Sequence, residues 1–257
     1  MRVRFRLVLL LGVLAGVAVW SASATADPSI GPQICPGTET AISGTYGQLT
    51  LNGDYYVPSG ETLTVQTYLS IAPGACLDAF TMGTVHVFHN INVYPGAILA
   101  LGCTINSIGP DGSPCTGTTN DVVGGSILAN QPLTMYLDGD TIWGSIKSYG
   151  GGPGPTFDPY INFPIKDNVV YGDINVANWE GAWFGVIRNT VYGSVSVKSN
   201  VGVAIGDFGT PDSNEVATNL IHGNLSCFGN NPAAQFGDSG GTPNTVFGRK
   251  LGECAGL

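Results

Sequence analysis

The chain has 257 residues, only 11% of them charged, with 18 carboxylates against nine Lys and Arg and a formal net charge of −9. This acidic balance argues against nucleic-acid binding, because phosphates require clustered counter-charge. Thirty-eight glycines and six cysteines point instead to a turn-rich exported chain braced by disulfides.

The first 26 residues read as an export signal rather than as part of the fold. Arg2, Arg4 and Arg6 form a basic start, Leu7 to Val19 an apolar run short of a comfortable membrane span, and Ala24-Thr25-Ala26 a cleavage site. The remainder, 27–257, is expected to be one domain with 27–45 as a lead-in or cap. It is expected to be secreted, extracellular or associated with the cell envelope, with no stable membrane span after cleavage.

The first half of this domain alternates short apolar strands with tight turns. Leu63-Thr-Val-Gln66, Val85-His-Val-Phe88, Ile91-Asn-Val-Tyr94 and Ile98-Leu-Ala-Leu101 show a period of two and are bounded by Gly or Pro. Pro73-Gly-Ala-Cys-Leu77 returns as Pro95-Gly-Ala-Ile-Leu99, so one turn and strand entry is used twice. No helical period persists beyond about a turn.

The second half repeats more strictly. Asn or Asp, any residue, an aliphatic, any residue and Gly recur six times, at Asp121–Gly125, Asp140–Gly144, Asn168–Gly172, Asn189–Gly193, Asn219–Gly223 and Asn244–Gly248. The glycines are 19, 28, 21, 30 and 25 residues apart, and an aliphatic follows two residues after each of the first five. A unit of about twenty residues that varies only by insertion marks a stacked coil. Three short strands fit one such coil, and stacking them in parallel about 4.8 Å apart gives an all-β, right-handed parallel β-helix of about nine or ten coils. The Asn or Asp is expected to be a left-handed turn residue whose side chain bonds along the axis. Strand parity is expected to put Val191, Gly193 and Val195 on the core face, with Tyr192, Ser194 and Ser196 outside. Gly- and Pro-rich insertions at 148–164, 206–218 and 229–243 are expected to be surface loops.

The cysteines are expected to pair as Cys227–Cys254, Cys103–Cys115 and Cys35–Cys76. Cys227 ends the strand after Gly223 and Cys254 lies just past the next repeat glycine; the second pair closes a short Gly-Pro loop and the third is what remains.

The signal, the Pro-Gly-Ala-x-Leu turns, the serial Val-x-Gly-x-Val units and the ending Gly223-Asn-Leu-Ser-Cys227 … Asn244-Thr-Val-Phe-Gly248 … Cys254 resemble exported right-handed β-helix proteins of actinobacteria, a mostly uncharacterised group. That resemblance implies fold and export and leaves activity open. The fold is similar to that of pectate lyases and polygalacturonases, and also to that of non-catalytic bactofilins.

Chemistry is sparse. The pectin-hydrolase motifs are missing: there is no Asp-Asp pair, His222 follows Ile221, and Arg188 precedes Asn189. Asp138 with Asp140, and Asp207, Asp212 and Glu215 in one loop, are weak candidates for Ca²⁺. His86 and His89 are three apart on a strand and face opposite ways. Ser239 sits in a Gly-Asp-Ser-Gly-Gly run without a matching His segment. No cofactor, metal ligand or catalytic residue is therefore expected. The residues before the repeat glycine form a less obvious row: Trp143, Tyr171, Tyr192, His222 and Phe247, after Gly124. Parity turns them outward, one ring per coil, either to stabilise the stack or to bind a glycan. The expected function is a non-catalytic structural, adhesive or envelope-associated module whose partner would be a cell-wall or extracellular glycan. The alternative is a polysaccharide-degrading lyase or glycoside hydrolase with its site in the inserted loops.

Overall fold

A computed structural model describes residues 34–80, 82–105, 115–154, 161–202, 214–237 and 240–257; the export signal read at 1–26 lies outside them. Short strands separated by corners build three long parallel sheets of eight, nine and nine strands, which form a parallel β-helix of nine coils. One coil runs Asn162–Lys166 in the first sheet, Val169–Val170 in the second and Ile174–Ala177 in the third. The next runs Trp183–Ile187, Thr190–Val191 and Val195–Lys198. Like residues stack on like: Val170 pairs with Val191, Ile174 with Val195 and Val176 with Val197. All of these are buried, so the aliphatic columns form one continuous core along the axis. Among the described residues the helical structure is a single 3₁₀ turn, Glu253–Gly256.

The repeat spans a corner and does not lie along one strand, which corrects the parity reading. Val191 ends a strand of the second sheet and Val195 begins one of the third, with Tyr192, Gly193 and Ser194 turning between them. Both valines are buried because the corner turns the chain around the core, not because they share a pleat. Glycine is needed at this corner by contact. A Cβ on Gly193 would lie 2.5 Å from the Gly172 carbonyl oxygen of the coil before, and the Gly193 N–H donates to that same oxygen at 3.0 Å.

At the corner between first and second sheets the left-handed residue is not the Asn but the one before it, which is a second correction. Asp167, Arg188 and Thr218 have φ of 58°, 56° and 59°, and this turn aims the following Asn side chain inward and along the axis. The axial ladder itself forms as read. Asn168 Nδ2 donates to Asn189 Oδ1, Asn189 Nδ2 to Asn219 Oδ1 and Asn219 Nδ2 to Asn244 Oδ1, at 3.0, 3.0 and 2.8 Å. A second ladder occupies the corner between third and first sheets, where Asn200 Nδ2 donates to Asn230 Oδ1 and Asn230 Nδ2 to Glu253 Oε2. These amides are buried and satisfy backbone groups that the corners would otherwise orphan.

Two insertions leave from that same corner, after the third-sheet strands Ile146–Tyr149 and Leu225–Phe228, and the other follows the short strand Val201–Gly202. The stretches 148–164 and 206–218 are not loop throughout: they overlap the strands Ile146–Tyr149, Asn162–Lys166 and Asn214–Ala217. The three disulfides pair as the sequence indicates: Cys35–Cys76, Cys103–Cys115 and Cys227–Cys254. They mark an oxidising, non-cytoplasmic environment. No helix of the described residues is long and apolar enough to cross a membrane.

Candidate functional site

The ring row is real and outward. Trp143, Tyr171, Tyr192 and Phe247 are 55%, 41%, 48% and 67% exposed. Each immediately precedes the corner glycine, so the coil spacing sets the ring spacing. Centroids from Trp143 through Tyr171, Tyr192 and His222 to Phe247 lie 4.4, 5.0, 4.8 and 5.1 Å apart. The first three pairs are near-parallel, at 4°, 4° and 12°, and the last is tilted at 43°. At such angles and spacings the rings lie across the axis and cover one another's faces. A polymer running along the rod would therefore meet ring edges and not flat ring faces. The row is a stack whose attraction is directed within itself, of about 0.5–1.5 kcal/mol per pair.

Among the described residues the acidic candidates are not open to solvent. Asp138 lies in the strand Thr134–Asp138 and Asp140 two residues on, but Gly139 between them has φ +85°, so the two do not share a strand face. Asp138 Oδ1 accepts from Thr104 Oγ1 at 2.8 Å, and the Asp121 carboxylate accepts the Val85 and Gly102 N–H groups at 2.7 and 2.8 Å. Asp121, Asp138 and Asp140 are all within 1% of complete burial. Burial raises Asp121 to about 7, the N–H groups of Val85 and Gly102 opposing it. Asp140 is raised well above its ordinary range by burial, then by Asp121 and Asp138. No substrate can reach this cluster. Glu215 is not in a loop but in the buried strand Asn214–Ala217, while Asp207, Asp212 and Ser239 lie outside the described residues. His86 lies within the strand Thr84–Val87, whereas His89 is at a corner, its ring 5.5 Å from that of Tyr68. Among the described residues no three His, Cys, Asp or Glu side chains are grouped to hold a metal ion.

A surface that can receive a ligand is the outer face of the third sheet. There an open depression of about 590 Å³ spans several coils. Strand register explains its shape. Tyr149, Ala177 and Lys198 follow one another down one outward column, and Lys147, Asn175 and Ser196 down the next. Ala177 is the small residue, so the floor drops between the Tyr149 ring and the Lys198 side chain. Asn92, Asn130 and Tyr94 continue the lining toward the start of the rod. Sequence reading missed this face because insertions of unequal length separate its members. The outward parity of each strand after the repeat glycine, aligned coil by coil, was the signal that could have found it.

No family model, curated protein or solved structure matches the chain. Fold and surface together define a class by physics alone: a disulfide-braced parallel β-helix with a stacked ring row and an open sheet face of mixed apolar and polar lining.

Proposed function

We propose that the protein is a non-catalytic, exported β-helical rod that serves as an extracellular or envelope-associated binding module, holding an extended glycan on the outer face of its third sheet. The observation that supports this reading is the open depression beside Tyr149, lined by the amides and hydroxyl of Asn92, Asn130, Asn175 and Ser196. Such a surface offers hydrogen bonds to sugar hydroxyls and a ring against which a sugar face can pack, on a scaffold that needs no rearrangement. The export reading rests on Arg2, Arg4 and Arg6, the apolar run and Ala24-Thr25-Ala26, together with the oxidised cysteines. Glycoside hydrolysis needs a pair of carboxylates beside the sugar, and the outward strand positions of this face carry none, which favours binding over hydrolysis. Elimination with a lysine of this face as base is the alternative that the release assay below tests.

A pull-down of the purified protein on cell-wall and polysaccharide preparations, run beside a reducing-end release assay, tests the proposal. Retention without release of sugar ends supports it. Release of ends would replace it with the polysaccharide-degrading alternative, and failure to bind any polysaccharide would end it.

A further inference from the structure

The third-sheet face differs in charge from the rest of the molecule. Along its nine strands, from Leu49–Leu51 to Lys250–Gly252, no outward position is Asp or Glu, although the chain holds 18 acids. Beyond Arg2, Arg4 and Arg6 the chain has only six cations, and two of them, Lys147 and Lys198, stand on this face and line the depression. Both are exposed. Among the described residues neither is in an ion pair; the pair formed there is Arg188 with Asp167, on another corner. Of the acids at the sheet margin, Asp173 is committed to its turn, accepting the Ser194 N–H at 2.7 Å, and Glu253, after the last strand, accepts from Asn230 and Ala234.

Resting on the glycan reading above, we infer that the ligand of this face is an acidic polysaccharide, its carboxylate or sulfate groups taken by Lys147 and Lys198. Register puts the two lysines two coils apart along the axis and in neighbouring outward columns. That corresponds to about 10 Å along the rod and about 7 Å across it. They therefore contact separate acidic groups on one polymer and set its direction oblique to the axis. Between them lie Asn175, Ala177 and Ser196, neutral and short, where the intervening sugar sits without burying a charge. A lysine ammonium is a compact donor that suits either a carboxylate or a sulfate. Two lysines on an otherwise acidic protein are too few for the dense phosphates of a nucleic acid.

Affinity electrophoresis of the purified protein through gels containing alginate, polygalacturonate, dextran sulfate or neutral dextran tests this, with a single-stranded oligonucleotide as a further polyanion. Retardation is expected in one or more acidic polysaccharides and not in dextran, and it should weaken as salt rises toward about 0.5 M. Lys147→Gln with Lys198→Gln should weaken it at least about tenfold. Both lysines are exposed, so the thermal transition should not move. Equal retardation by dextran, or retardation that survives the double substitution, overturns the acidic ligand while leaving the glycan reading intact. No retardation in any polysaccharide overturns both. Lysine-dependent binding that is tighter to the oligonucleotide than to every acidic polysaccharide overturns the choice of a glycan.

Discussion

Asp140 donates its backbone N–H to Asn168 Oδ1 at 2.9 Å, yet it carries a carboxyl where each later coil carries a carboxamide. In those coils the amide Nδ2 also reaches back to a carbonyl: Asn168 to Leu137, Asn189 to Ile165, Asn219 to Val186 and Asn244 to Val216. An ionised Asp140 has no proton to offer there; the backbone of Asp121 and Asp138 opposes the rise in its pKa, but neither carboxyl oxygen has a well-formed hydrogen bond among the described residues. The site therefore favours the neutral acid. Asp140→Asn should extend the ladder by one rung and stabilise the protein by about 1–3 kcal/mol at neutral pH, read as a higher denaturant midpoint. A lower midpoint would show that the carboxyl has a role the ladder does not explain.

The same cluster sets the pH dependence. Asp121 and Asp140 both hold protons more tightly folded than unfolded, because burial disfavours their charged forms. The Asp121 contribution to stability is thus full below the ordinary carboxyl range and is lost as pH rises from about 4 to about 7, and the Asp140 contribution is lost in the same sense as pH rises through its own raised value. Urea midpoints measured across that window should fall with rising pH, and the slope should be shallower in Asp140→Asn. A flat profile in the parent protein would contradict the raised values.

The coil, the amide ladder and the disulfides were legible because each depends on spacing: an Asn every twenty-odd residues can only stack if the chain winds back on itself. Parity failed at Tyr192-Gly193-Ser194 because it assumes a straight strand, and a glycine that contacts the previous coil's carbonyl marks a corner instead. The ring row was visible as composition, but parity says only that Tyr171 points out. It does not say that the ring lies across the axis with its faces already covered. The Lys147 and Lys198 face was hidden for a different reason. Register across insertions of unequal length is a property of the stacked coils, and no local pattern at either lysine announces the other.

If the ring row is a stack, its loss should be felt in stability and not in binding. Tyr171→Ala with Tyr192→Ala removes the near-parallel contacts from Trp143 to His222. Unfolding is then expected at a free energy lower by about 1.5–4 kcal/mol, while retention on a polysaccharide that binds the third-sheet face stays unchanged. Weakened retention with an unshifted thermal transition would move the binding site to the rings.

Asn189 and Asn219 are the most connected rungs of the first ladder, and Asn189 stands nearer its centre. Asn189 Oδ1 accepts both the N–H and the Nδ2 of Asn168, and its Nδ2 donates to Ile165 and Asn219. Asn189→Ala would strand the Asn168 N–H and the Ile165 carbonyl in a dry corner, at a cost of about 2–4 kcal/mol. Leu at this position would fill the volume but leave the same groups unpaired, so it should recover little. Equal stability of Asn189→Leu and the parent, by urea denaturation, would mean that packing and not hydrogen bonding holds the corner.

The end of the rod is fastened twice, by Cys227–Cys254 and by the adjacent Glu253. Glu253 finishes the second ladder as an acceptor: Oε1 takes the Asn230 N–H at 2.9 Å, and Oε2 takes the Asn230 Nδ2 at 2.7 Å and the Ala234 N–H at 3.2 Å. Partial burial would raise its pKa, but these bonds outweigh burial and lower it below the ordinary 4.5. Its contribution is therefore present above that value and is lost as pH falls through the lowered one, the opposite sense to Asp121 and Asp140. The disulfide closes a separation of 27 residues, which corresponds to about 3–4 kcal/mol in the chain-entropy account. Removing both cysteines as Ser should expose the last coil to amide exchange and leave the central coils protected. Adding Glu253→Ala should then extend that exchange into the strand Leu225–Phe228. Uniform loss of protection along the whole rod would show instead that the coils unfold as one cooperative unit and that the terminal bond stabilises all of them.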